Sequence, residues 1–261
     1  MIGFLIRKTI YDLWDNLFKV AVLNLGFFIS LAVPIFLPTL VIELTGIILL
    51  GYVILAAGVL FCFVYLAAAA FTIKVISDHG NFIFADFLGN FKKALVPGII
   101  MGLFAFFAIA IFVFVIPFYS SMDSPIVGLM LASIVFWTLL FAILSFQFYF
   151  SVIIRLGPNL FKSIKKCMLI ALDNTGLAIF LVFNNFIAIA FSIFFAFMFP
   201  GPVGALLYID QALRLRLLKY DWLEANPGAN RRKIPWDELL IEEREKTGTR
   251  TLKNFIFPWK D

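Results

Sequence analysis

The chain alternates long uncharged apolar runs with short segments that collect its charge. Residues 20–42 hold no Asp, Glu, Lys or Arg. As a helix rising about 1.5 Å per residue they cover roughly 35 Å, enough for a bilayer core of about 30 Å. Similar runs follow, and the pattern predicts spans at 17–42, 47–73, 94–117, 126–150 and 177–199, with a more polar sixth at 201–218. Residues 219–261 form a tail. The expected fold is therefore an all-α membrane protein with a six-helix transmembrane domain over 1–218, short cytoplasmic amphipathic segments, and a tail with one short helix.

Smaller signals refine this outline. Phe4, Ile10, Trp14 and Leu17 recur at helical spacing ahead of the first span and predict an interfacial helix. Pro34 and Pro38 remove backbone donors and predict a kink in the first span. Glu43–Gly46 reads as a tight turn, and Ala67–Ala70 as a small-residue patch for close helix contact. Residues 74–93 alternate Phe with polar residues and predict an amphipathic helix lying in the interface, and 156–173 is a second basic amphipathic stretch. Gly98 and Gly102 form a G-x-x-x-G pair, a sign of close helix crossing.

The segment 201–218 contains Asp210, Gln211, Arg214 and Arg216, so it either crosses the bilayer or lies flat on it. The bases decide between these. All 21 Lys and Arg lie in residues 1–19, in the connections after the second and fourth spans, or from 214 onward. The turns after the first, third and fifth spans have none. The positive-inside rule places both termini and both long connections in the cytoplasm, and only a sixth crossing puts the tail there. The N-terminal apolar run is longer than a signal-peptide core and reads as an uncleaved first span.

Asn16-Leu-Phe-Lys19, Asn90-Phe-Lys-Lys93 and Asn159-Leu-Phe-Lys162 recur ahead of three successive span pairs. They read either as three hairpins of one kind or as the ordinary gathering of basic and aromatic residues at a cytoplasmic interface.

Composition excludes a soluble domain. The chain is 63% hydrophobic and 14% charged, with mean hydropathy +1.02, against about 25% charged residues in soluble domains. Its two cysteines, Cys62 and Cys167, fit neither a disulfide framework nor a metal site and read as free thiols. His79, the only histidine, sits in a turn and reads as solvated. There is no nucleophile elbow, phosphate loop or zinc pattern. The expectation is a protein that is not an enzyme, with no catalytic, cofactor or metal residues.

The intramembrane polar positions are the remaining candidates. Asp210 and Arg214 lie four apart on one helix face and are expected to pair. Asn24, Gln147, Asn184 and Asn185 either bond between helices or line a cavity. In the tail, Trp236–Lys246 reads as a helix with Glu242 and Lys246 paired, and Phe255, Ile256, Phe257 and Trp259 are too apolar to stay free. They form the candidate docking surface, against the bilayer, the bundle or a partner. The lipid bilayer is the first expected partner, and nucleic acid is not one.

Several segments together resemble the YesL-like family of bacterial membrane proteins: the first span with Asn24, Pro34 and Pro38, the stretch Phe84–Lys93, and Tyr149–Arg155 leading into Lys162–Asp173. The likeness covers roughly residues 10–215, and the tail extends beyond the shorter family pattern. It implies a six-helix protein of the bacterial inner membrane with N- and C-termini cytoplasmic, often encoded near carbohydrate ABC transporters, and hence subunits of a membrane transport complex as partners. The functional expectation is a non-catalytic accessory or scaffold component of such a system. The alternative is a small-solute transporter or channel in its own right.

Overall fold

The computed structural model describes residues 1–157, 159–231 and 233–248, and every regular element among them is helical. The elements are α1 (Ile2–Asp15), α2 (Leu17–Thr45), α3 (Ile48–Ser77), α4 (Phe84–Ala110), a π-helical segment Ile111–Val115, α5 (Ile116–Ser120) and α6 (Pro125–Phe146). They continue with α7 (Tyr149–Leu156), α8 (Leu160–Asp173), α9 (Thr175–Ser192) with a 3₁₀ turn Ile193–Phe195, α10 (Gly201–Ala225), α11 (Trp236–Leu239) and α12 (Ile241–Thr247). Five helices are long and apolar enough to cross a membrane: Leu17–Thr45, Ile48–Ser77, Phe84–Ser120, Pro125–Phe146 and Thr175–Phe195. The protein is thus a helical membrane-type bundle with apolar side chains, such as Phe36, Phe114, Trp137 and Phe186, on its outer surface.

Small residues set the packing of α2, α3 and α4. A Cβ on Gly58 would lie 3.0–3.1 Å from Pro34, and one on Gly98 would run into the Val64 backbone. A Cβ on Gly102 would meet the Leu60 and Phe63 side chains, so the G-x-x-x-G pair does mark a close crossing of α4 on α3, tightest at Gly98. Ala67–Ala70 are buried in that contact region. α2 is one continuous helix through Pro34 and Pro38, and the left-handed Gly46 ends it as expected of a glycine at that position.

Several sequence-level expectations need correction. Residues 74–93 do not form a separate interfacial helix. α3 runs on to Ser77, and α4 starts at Phe84 and, with the π-helical segment and α5, runs unbroken to Ser120, past the expected span. Asp86 starts it by accepting the Ile83 N–H at 3.0 Å, and Phe87 and Phe91 pack on Tyr65 of α3. The fourth span stops at Phe146, where the chain turns into α7. α1 is helical, but its buried face is Phe4, Leu5, Lys8, Thr9, Tyr11 and Leu13, while Ile10 and Trp14 are exposed. It packs on α10. The tail helix is two short pieces, α11 and α12, with Glu242 and Lys246 3.9 Å apart. Phe255, Ile256, Phe257 and Trp259 lie outside the described residues.

The recurring Asn-x-x-Lys motifs occupy three different places. Asn16 follows the end of α1, Asn90 lies inside α4 and donates to Thr72, and Asn159 caps the start of α8. Asn16 and Asn159 thus precede the first residues of α2 and α8, while Asn90 lies within α4.

α10 is the central helix. Its residues from Leu207 to Leu213 are buried without interruption, and it contacts α1, α2, α3, α7 and α9. Asp210, Gln211, Arg214 and Arg216 make it more polar than the five apolar helices. Those polar groups face protein rather than lipid, where partners offset the burial penalty.

Candidate functional site

The charged residues of the bundle converge at one end, where α1, α3, α7, α10 and α12 meet. Asp210, on the enclosed α10, accepts two bonds from Arg155 of α7, Nε–Oδ1 at 2.8 Å and Nη2–Oδ2 at 2.5 Å. Their side chains are 4% and 8% exposed. Arg155 also donates to Ser77 Oγ at 2.9 Å and Asp78 Oδ1 at 3.1 Å. Burial alone pushes the guanidinium pKa down, but the carboxylates of Asp210 and Asp78 outweigh it and leave the group above its ordinary value.

Arg214 does not pair with Asp210, contrary to the i, i+4 expectation. It reaches Asp78 at 3.0 Å and Glu243 of α12 at 2.6 Å, and donates to the Ser77 carbonyl. Arg155 satisfies both oxygens of Asp210 with a planar fork, an arrangement that a neighbour on the same helix does not supply. His79 is not solvated. Its Nε2 lies 3.0 Å from Glu243, so the same carboxylate ties α12 to the end of α3 and to α10.

α1 closes the network. Lys8 donates to Asp12 at 2.7 Å and to the Ser77 carbonyl at 3.3 Å. Gln211 donates to Asp12 at 2.5 Å and accepts from Thr9 at 2.5 Å. Burial raises the Asp12 carboxyl above its ordinary value despite the opposing Lys8 charge. The network thus joins Lys8, Arg155 and Arg214 to Asp12, Asp78, Asp210 and Glu243.

Asn24 and Gln147 bond to other parts of the bundle, while Asn184 and Asn185 share a groove with Thr9 of this network. Asn24 fastens the turn into α10. Its Nδ2 donates to the carbonyls of Met198 (3.0 Å) and Pro200 (2.8 Å), and its Oδ1 accepts from Val203 N at 2.9 Å. Gly201 has φ +62°, and a Cβ there would meet the Asn24 side chain, so the close approach requires glycine. This turn lies beside the second helical turn of α2. The helix continues 21 residues past Asn24 to Thr45, about 32 Å further along its axis. Gln147 sits at the α6–α7 break and donates to Leu144 and Ala178 carbonyls at 2.8 and 3.1 Å, linking α6 to α9. Asn184 and Asn185 line a groove between α1, α9 and α10.

Neither cysteine is paired, and both are buried. Burial raises the Cys167 thiol to about 12. Among the described residues no group of three or more His, Cys, Asp or Glu is placed to hold a metal ion. The sequence reading missed Arg155, Asp78, Glu243 and His79 as partners of the α10 charges. Its available signal was Asp210-Gln211 followed by Arg214, a polar face on a helix otherwise suited to burial.

No family model matches the chain, and neither a curated protein nor a solved structure resembles it significantly.

Proposed function

We propose that the chain is a non-catalytic integral membrane protein serving as an accessory or scaffold component of a membrane transport system. Carbohydrate is the cargo class that the YesL-like resemblance implies, and the bacterial inner membrane its location. One observation carries this reading. Asn24, Gln147, Asp210 and Arg214 are each spent on joining helices rather than on lining a common path. Asn24 secures the turn into α10, Gln147 bridges α6 to α9, Asn184 and Asn185 face a lateral groove, and Asp210 and Arg214 are locked into opposite parts of the ion-pair network. A transporter needs polar groups convergent on a midplane site between movable elements.

The proposed topology is six helical passages with both termini cytoplasmic. Its support is a parity argument. Residues of α1, the end of α3, the end of α7, α10 and α12 touch one another and so share one end of the bundle. Five apolar helices, an odd number, lie between α1 and α10, and α10 returns the chain to this end from a turn beside Asn24, partway along α2. The bases of this end match the positive-inside rule.

Reconstitution tests the reading against its alternative. Purified full-length protein in sealed vesicles is expected to give sugar uptake no faster than empty vesicles. Saturable uptake by the protein alone, lost in Asp210→Asn, would replace the scaffold reading with that of a transporter.

A further inference from the structure

α8 has two faces of different character. It packs on α6, α7 and α9, and Ser163, Cys167, Ile170 and Ala171 form its buried side. On the other side Phe161, Lys165, Met168 and Leu172 follow one another at spacings of four, three and four, which makes one helical stripe. Lys162 and Leu169 lie beside it. All six side chains are exposed, Phe161 at 87% and Leu172 at 61%.

The charge of this stripe is one-sided. Among the described residues neither Lys162 nor Lys165 makes an ion pair. The one acid of α8, Asp173, is occupied by Lys219 and Tyr220, and Lys166 turns to the Leu156 carbonyl at 3.5 Å. Two ammonium groups without a counter-charge therefore stand among four large apolar side chains. Water disfavours that much exposed apolar surface, and hydrocarbon disfavours the ammonium groups. The boundary between them suits both, with the lysine stems lying along apolar surface and their heads in the headgroup layer.

The neighbours of α8 supply that boundary. α6 and α9 are two of the five helices apolar enough to cross a membrane, and they carry exposed side chains of their own, such as Trp137 and Phe183. α9 begins at Thr175, directly after α8 ends at Asp173. The stripe thus continues a lipid-type surface. A zwitterionic headgroup brings its own cation beside the phosphate, whereas an anionic one supplies the charge that Lys162 and Lys165 lack.

We infer that the outer face of α8 is a binding site for anionic phospholipid of the surrounding bilayer. Phe161, Leu169 and Leu172 enter the upper acyl region, and the Lys162 and Lys165 ammonium groups donate to the phosphodiester oxygens.

The test places full-length protein in phosphatidylcholine vesicles with a trace of phosphatidylglycerol, or of phosphatidylcholine, bearing a photoreactive group near its headgroup. Labelled peptides are mapped by mass spectrometry. The expected result is labelling of α8 by the phosphatidylglycerol probe, displaced by unlabelled phosphatidylglycerol but not by more phosphatidylcholine, and weakened by added salt. The double variant Lys162→Gln, Lys165→Gln is expected to cut this labelling about tenfold or more. Both lysines are exposed, so the variant is expected to keep the unfolding temperature of the parent, and labelling of α2 and α3 is expected to stay unchanged. Equal labelling of α8 by the two probes, or labelling that the double variant leaves unchanged, would overturn the assignment. So would the absence of label from α8 while α6 and α9 are labelled, which would show that the stripe is covered by protein instead of lipid.

Discussion

Asp210 on α10 is held by Arg155, 55 residues earlier in the chain, through two short parallel bonds, and not by Arg214 one turn along its own helix. The difference decides what the charges of α10 do. A pair within one helix would contribute about 0.2–0.5 kcal/mol and fix only that helix. The observed pair crosses from α10 to α7, and Arg155 continues to the end of α3. It is an internal tie among three helices at the point where α10 is least compatible with lipid.

Breaking this tie from one side leaves a buried charge without its counterpart. Asp210→Asn or Arg155→Met alone is expected to destabilise the detergent-solubilised protein by about 3–5 kcal/mol, whereas the double replacement Arg155→Met with Asp210→Asn costs much less than their sum. Denaturant unfolding of the four proteins measures this as a coupling energy. Arg214→Met is expected to show no such coupling with Asp210→Asn.

Glycine at the α3–α4 contact has a sharper requirement. A Cβ on Gly98 would clash with the backbone at Val64, while one on Gly89, earlier on α4, meets nothing within 4 Å. Gly98→Val is expected to lose about 1–3 kcal/mol or more, because backbone yields less readily than a side chain. Gly89→Ala is expected to leave stability unchanged or slightly raised, since alanine is the better helix former. Thermal unfolding of the two variants separates them.

The acid response has an identifiable contributor in Asp173. Its partial burial raises the carboxyl pKa, but bonds from Lys219 at 2.7 Å and Tyr220 at 2.8 Å outweigh that and hold it below the ordinary 3.8. A depressed carboxylate stabilises the fold above its unfolded pKa and loses that contribution as pH falls through the folded value. Between about pH 6 and pH 3 the unfolding midpoint of the parent is expected to fall more steeply than that of Asp173→Asn. Equal slopes would remove Asp173 from the account.

α12 depends on Glu243, which joins Arg214 and His79. Those contacts add to the hold of Leu240, buried in the core, and of Trp236, which packs under Arg216. Arg214→Met is expected to raise the rate of tryptic cleavage between α10 and α11 about fivefold or more. Limited proteolysis with mass spectrometry gives the rate, and no change would show that α11 and α12 are held by Trp236 and Leu240 instead.

The apolar spans were legible because lipid imposes length and hydropathy on any helix facing it. The 23 uncharged residues at 20–42 left little freedom of interpretation. α10 was harder for the opposite reason: protein surrounds it, so lipid does not select its composition. Residues 84–93 misled because their polar and aromatic alternation fits an interfacial helix as well as the first turns of a long one. The partners of Asp210 and Arg214 were beyond reach, since pairing across 55 residues has no local signature, whereas the i, i+4 pair is visible at once.

The scaffold reading is tested most directly by co-purification from native membranes in mild detergent. The full chain is compared with one ending after Gly248, which keeps α12 and its Glu243 contacts but lacks Phe255, Ile256, Phe257 and Trp259. The account predicts membrane subunits of a carbohydrate transport system at fixed stoichiometry with the full chain, and their loss with the shorter one. Absence of such subunits from both forms, together with saturable sugar uptake by the protein alone, would contradict it.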